Sequence, residues 1–238
     1  HQPMYHLLSH LAIINVFYAS NNVPTMLANL VTQNRAISFV SCIMQTLLYL
    51  VFGHTECLIL VAMSYDRYVA ICHPLQYTII MSWTVCTVLA TMSWSCGFVL
   101  ALIHVLLLLR LPFCGPREVN HFFCELLSIL KLACADTWLN KVVIITDSVF
   151  LLLWPLCLVL VSYIHILLAI LKIQSGEGRR KAFSTCSSHL CVVGLFFGFA
   201  MVVYMVPESN QREEEEKILA LFYNLFNPLL NPVVYCIK

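Results

Sequence analysis

Six stretches of the chain are almost wholly apolar, and the polar residues are gathered between them. They run Met4–Val31, Ile37–Tyr65, Trp83–Leu109, Val142–Leu171, Ala182–Val206 and Ile218–Ile237. Each meets or exceeds the roughly 20 residues that a helix needs to cross the hydrocarbon core of a bilayer. Strands of a membrane barrel would be about half as long and would alternate in polarity, which these do not. The pattern predicts an all-α membrane protein, a single transmembrane bundle over residues 1–238, with one long loop, 110–141, between the third and fourth spans. His1-Gln2-Pro3 followed at once by a full-length span does not have the form of a cleavable signal. No internal repeat stands out, and the one low-complexity run is Glu213–Glu216.

Composition narrows the class without changing it. The chain is 61% hydrophobic and 11% charged, against about 25% charged in a soluble domain. Its mean hydropathy is +0.86. Thirteen basic residues are nearly matched by twelve acidic ones, with no basic stripe, which argues against a nucleic-acid partner. Segments 66–82 and 172–181 carry Arg67, Lys172, Arg179, Arg180 and Lys181, with acids only at Asp66 and Glu177. Segment 207–217 carries five glutamates against Arg212 and Lys217. Excess Lys/Arg in short loops marks the cytoplasmic face, so both chain ends are expected inside and loop 110–141 outside. Of twelve cysteines, Cys114, Cys124 and Cys134 recur at ten-residue intervals in that loop, and Cys42 lies near the outer end of the second span. Four cysteines on an oxidising face allow three pairings. Cys186, His189 and Cys191 lie on an apolar helix without a fourth ligand, which does not make a structural zinc site.

The polar residues inside the spans carry the chemistry. An acid in the bilayer costs roughly 2.5–3.5 kcal/mol on an insertion scale, so it is a functional candidate. Glu56 and Asp147 are the two mid-span acids. Tyr49, Gly53 and Glu56 fall at i, i+4, i+7, on a face that must look into the bundle. Glu56 is then either a protonated, hydrogen-bonded carboxyl or an ion-binding or switching group. The last span reads LFNPLLNPVVY, with Asn227 and Asn231, and Pro228 and Pro232, each four apart. Two prolines remove intrahelical hydrogen bonds, giving a kinked helix or a hinge. Asp66-Arg67 closes the second span, either as an interfacial pair with a snorkelling arginine or as an ion-pair latch at the low-dielectric edge.

Five stretches then carry a resemblance: MSYDRYVAICHPLQY from Met63, SYIHI from Ser162, KAFSTCSSHL from Lys181, PLLNPVVY from Pro228, and the opening PMYHLLSHL from Pro3. Together, in order and at this spacing, they resemble an odorant (olfactory) receptor of the rhodopsin-like G-protein-coupled class, over essentially the whole chain. The resemblance implies that Asp66-Arg67-Tyr68 is the family's DRY latch, with Arg67 facing the G protein in the active state. Asn231-Pro232 and Tyr235 match its NPxxY switch, Tyr163 matches a tyrosine that meets the Arg67 end on activation, and Lys181 lies in the G-protein-facing region. Cys42 would pair with Cys124 and Cys114 with Cys134. Positions matching the family's odorant pocket are Tyr49, Leu50, Gly53, His54, His104, Asp147, Leu151, Ala200 and Tyr204, a mostly apolar set with a few polar anchors, as a small volatile ligand requires.

Three departures from the family pattern stand out. The chain begins where the family's first intracellular loop ends, so six of the usual seven helices are expected. Asn15 stands where the family usually has Asp, and with Glu56 it would form a weakened sodium site. The chain stops at Lys238, before the family's short amphipathic helix. The implied function is binding of a small volatile odorant in the outer half of the bundle and activation of a stimulatory olfactory heterotrimeric G protein, raising cyclic AMP. This would happen at the plasma membrane of olfactory sensory neurons, in contact with membrane lipid and without a cofactor. A receptor fragment that does not signal is the nearest alternative. A transporter or channel would predict inverted repeats, which are not visible. No nucleophile–base pair or phosphate loop points to an enzyme.

Overall fold

In the computed structural model, residues 3–31, 37–114, 119, 123–205 and 218 are described, except for the side chains of 29, 30, 185 and 203–205. The described residues are almost entirely helical. They form α1 (Pro3–Val31), α2 (Phe39–Cys72), α3 (Tyr77–Ile80), α4 (Trp83–Leu109), α5 (Leu126–Leu130), α6 (Trp138–Ser148), α7 (Trp154–Leu171) and α8 (Gly176–Met205). A π-helical segment, Val149–Leu153, joins α6 to α7, so that Trp138–Leu171 is one continuous rod. Among the described residues, four helices are long and apolar enough to cross a membrane: Phe39–Cys72, Trp83–Leu109, Trp138–Leu171 and Gly176–Val202. The last predicted span, 218–237, lies outside the described residues apart from Ile218, as does segment 207–217.

Helix ends and the ends of the apolar stretches coincide in some places and part in others. Helix α4 coincides with the third apolar stretch, and Ser82 caps its start, accepting from the Val85 amide at 3.3 Å. The second span does not end at Tyr65. Helix α2 runs on through Asp66-Arg67 to Cys72, and its 34 residues measure about 50 Å against roughly 30 Å of hydrocarbon. It stops at His73 because Pro74 follows, and a residue before proline is pushed out of the helical region. The fourth span likewise starts early, at Trp138 rather than Val142, because Asp136 accepts from the Trp138 amide at 2.9 Å and starts the helix there. The fifth starts at Gly176 rather than Ala182, the polar stretch Gly176–Lys181 being its first turns.

Helix α2 is the central element, packed against α1, α4, α7 and α8. Its core face carries Ile59, Leu60 and Met63, fully buried with Leu11 and Ile14 of α1, Leu108 of α4 and Ile166 of α7. The outward faces stay apolar: Met92, Val99, Phe150, Trp154 and Leu168 are all more than half exposed, as side chains that meet lipid should be. Helices α2 and α4 approach closely at Gly97, where a Cβ would collide with Thr55 Oγ1 and stand 3.2 Å from the Val51 carbonyl. Small residues let membrane helices come this close.

Proline shapes two helices, and in each a side chain from α2 takes up a nearby carbonyl. Pro24 lies inside α1, and the Asn21 carbonyl accepts from Gln45 Nε2 at 2.9 Å. Pro155 has no amide to offer the Leu151 carbonyl four residues back, the chain widens into the π segment, and that carbonyl accepts from the Cys57 thiol. Gly97→Val should be destabilising by about 1–3 kcal/mol through overpacking against Thr55, read as a lower melting temperature in detergent. Gly53→Ala, where nothing lies within 4 Å of the added carbon, should leave the melting temperature nearly unchanged.

Candidate functional site

One turn of α2 grips the long loop from three sides. Cys42 is disulfide-bonded to Cys124. Three residues further on, Gln45 Oε1 accepts the Cys124 amide at 2.9 Å, and Thr46 Oγ1 donates to the Cys124 carbonyl at 3.0 Å. Cysteine, glutamine and threonine at i, i+3 and i+4 share one helix face, so sulfur, amide and carbonyl of a single loop residue are all held. A second disulfide, Cys114–Cys134, closes the neck of the loop, where Phe113 and Ala133 form an isolated β-bridge. Helix α5 follows directly, capped by Glu125, which accepts from the Ser128 amide at 2.9 Å. The carboxylate is 5% exposed. Burial pushes its pKa above the ordinary 4.5, against the opposing pull of the Ser128 and Leu127 amides and Lys131.

Beneath α5 lies a cavity of about 80 Å³, several times the roughly 10–15 Å³ that admits one water. Leu126 lines its loop side, and Tyr49, Leu50, Gly53 and His54 of α2, His104 of α4, Asp147, Leu151 and Ala200 line the rest. Eight of the nine expected pocket positions therefore meet at one cavity, while the Tyr204 side chain lies outside the described residues. Also lining it are Tyr18, Cys57, Ile144, Ser148, Leu152, Phe196 and Phe199, which were not anticipated. Cys57 was legible, since it continues the face of Leu50, Gly53 and His54 at helical spacing. Leu126 was not, because only the pinning of Cys124 brings its segment over the bundle.

The polar heart of the cavity is Asp147. A single oxygen, Oδ2, lies 2.8 Å from His104 Nε2 and 3.1 Å from His54 Nε2. Three helices, α2, α4 and α6, thus converge on one carboxylate that is 12% exposed. Each imidazole with an Nε2 proton donates to it, and either ring would carry positive charge if doubly protonated. Glu56 and Asn15, the expected sodium pair, are both buried, at 0% and 3% exposure. Cys186 is buried on α8 while Cys191 is exposed.

At the opposite end of α2, Asp66 and Arg67, read as either an interfacial pair or a latch, make no direct ion-pair contact among the described residues. Consecutive helical residues point about 100° apart, and Asp66 turns inward to accept from the Tyr77 hydroxyl at 2.7 Å. Burial, then this hydrogen bond, pushes the Tyr77 hydroxyl above the ordinary tyrosine range. Arg67 forms no ion pair among the described residues, and its Nε is buried without a hydrogen-bond partner. Tyr68 packs against Tyr65, His73 and His165. Tyr163 is engaged with α8. Its hydroxyl lies 2.5 Å from His189 Nδ1 of α8, with the two rings stacked. Lys181 is exposed near the start of α8. Asn231, Pro232 and Tyr235 lie outside the described residues.

A bundle of membrane-crossing helices, with a disulfide-pinned loop over a mostly apolar cavity at one end and an Asp-Arg-Tyr turn at the other, is the arrangement of a rhodopsin-like, G-protein-coupled receptor. The chain belongs to the olfactory receptor family, whose sequence model matches residues 1–238. It is 74% identical to olfactory receptor 2A2 of Homo sapiens over its whole length, covering 75% of that receptor. It is 71% identical to olfactory receptor 2A5 of Homo sapiens and 58% identical to olfactory receptor 2A7 of Mus musculus, covering 77% of each. It is accordingly a multi-pass plasma-membrane receptor for odorants that couples to a G protein, and not an enzyme.

Because the folded chain holds the Glu125 proton to higher pH than the unfolded one, that contribution to stability is fully present below about pH 4.5 and is lost as pH rises through the raised folded value. Glu125→Gln keeps an acceptor for Ser128 and removes the titration. Thermal melts should show the wild-type melting temperature falling, relative to the variant's, from pH 4.5 toward neutrality.

Proposed function

We propose that the cavity beneath α5 is the odorant site, in the outer half of a single bundle formed by residues 1–238. The observation that carries this reading is the shared carboxylate oxygen of Asp147, a fixed polar anchor in a mostly apolar chamber. Small-molecule sites have this composition, with apolar walls for burial and a few placed polar groups for orientation. An odorant that binds the active arrangement more tightly than the resting one shifts the receptor toward it. A hydroxyl or carbonyl on the ligand would compete with His54 or His104 for their hydrogen bonds, and loosening either ring would relax the tie among α2, α4 and α6.

At the far end, Arg67, Tyr68 and Lys181 would meet the G protein, of the stimulatory olfactory type that raises cyclic AMP. Asp66 already accepts from Tyr77, so Arg67 does not hold it in a direct ion pair among the described residues. Activation would exchange Tyr163's partner, from His189 toward Arg67, with Asn231-Pro232 and Tyr235 as a hinge in the last span. Asn15 in place of an acid would leave Glu56 as the single carboxylate toward sodium, whose binding would be weak.

Cyclic AMP responses to an odorant panel, at matched surface level, test both ends. Asp147→Asn should raise the half-maximal concentration of hydrogen-bonding odorants about tenfold or more, equivalent to about 1.4 kcal/mol, with purely hydrocarbon odorants less affected. Arg67→Ala should abolish the response while leaving odorant binding in place. An Asp147→Asn receptor with an unchanged odorant profile would remove the cavity from consideration.

A further inference from the structure

We propose that His54, His104 and Asp147 together form a site for a divalent transition-metal ion of the zinc type, with one coordination position open to the cavity. All three donor atoms lie within 4.8 Å of one another. The two nitrogens stand 3.1 and 2.8 Å from the shared oxygen. Around a tetrahedral ion with bonds of about 2.0–2.1 Å, neighbouring ligand atoms are about 3.3–3.4 Å apart. To admit the ion the two nitrogen–oxygen distances would open by up to about half an ångström, and the two nitrogens, which lie within 4.8 Å of each other, would draw in toward the same spacing.

Donor chemistry selects the metal. Two imidazole nitrogens and one carboxylate oxygen suit zinc and its neighbours, and offer too few oxygens for calcium or magnesium. The ligands sit on α2, α4 and α6, so the helices rather than a loop hold them in place. His54 Nδ1 has no hydrogen-bond partner; the protein does not fix this tautomer, and Nε2 can present its lone pair to a cation. Against a single carboxylate a divalent ion keeps one net positive charge. It would draw an electron-pair donor into the open position, a water or the thiolate, amine or carboxylate of a ligand. That ligand follows from the cavity reading above, whereas the ion follows from the three side chains alone.

Cobalt(II) is the probe, with the full-length receptor in lipid nanodiscs and its disulfides intact. One equivalent should produce visible bands of a four-coordinate nitrogen–oxygen site, without a near-ultraviolet thiolate band, and zinc should displace it. His104→Ala and Asp147→Asn should lose the bands, while Cys191→Ser, an exposed free thiol on α8, should retain them. His54→Cys should still bind and should gain the thiolate band, a signature that a misfolded protein cannot supply. A wild type that takes up no cobalt overturns the proposal, as does a thiolate band that survives His104→Ala and Asp147→Asn, or a His54→Cys protein that lacks the new band. Neither odorant nor G protein enters the measurement, so its failure and the failure of the odorant reading are told apart.

Discussion

Hydrocarbon offers no hydrogen-bond partner, and the arrangement of this bundle follows from that constraint. A buried polar group is therefore stabilised by a complement on another helix or on its own turn. Gln45 meets Asn21 and Thr25 across α1 and α2. Trp94 of α4 donates to His10 of α1. Cys57 reaches the carbonyl released by Pro155, and Tyr163 meets His189. Apolar packing fills the space between helices, but lipid tails solvate leucine as readily as a neighbouring helix does. The polar contacts therefore set which faces meet and at what height.

Helix α2 concentrates those contacts and distributes them along its length. Its first turns hold the loop, its middle holds His54 and Cys57, and Asp66 engages Tyr77 near its end. His54 and Asp66 are twelve residues apart, about 18 Å along a rigid rod. A small tilt or rotation at the cavity is thus carried to the Asp-Arg-Tyr turn without a relay of side chains. Asp66 and Arg67, adjacent in sequence, point to different surroundings, so what happens to one partner need not be undone by the other.

Much of the fold was legible because lipid demands long apolar runs, and α4 coincides with one of them, Trp83–Leu109. Hydropathy stops where hydrocarbon stops, however, while a helix stops where its backbone must. Helix α2 therefore runs about two turns past the apolar stretch that ends at Tyr65, to the residue before Pro74. The π segment was not foreseen, because its stabilising partner, Cys57, lies 94 residues from Leu151. Candidate pocket positions came from family resemblance rather than periodicity. What neither revealed was that His54 and His104 share one oxygen of Asp147, since residues 43 and 93 positions away along the chain meet only through packing. The Tyr77–Asp66 bond was hidden for a similar reason, because it needs the turn after Pro74. Cysteine spacing left three pairings open.

The Cys42–Cys124 bond joins residues 82 apart, with α2 and α4 between them. It can form only if both sulfurs reach the same oxidising compartment, which requires the intervening chain to cross the bilayer an even number of times. A chain whose α4 failed to insert would strand Cys124 in the reducing cytosol and leave Cys42 a free thiol. The bond is thus a covalent checksum on biosynthesis: an oxidised Cys42 certifies that two helices were threaded correctly, before any ligand has been met.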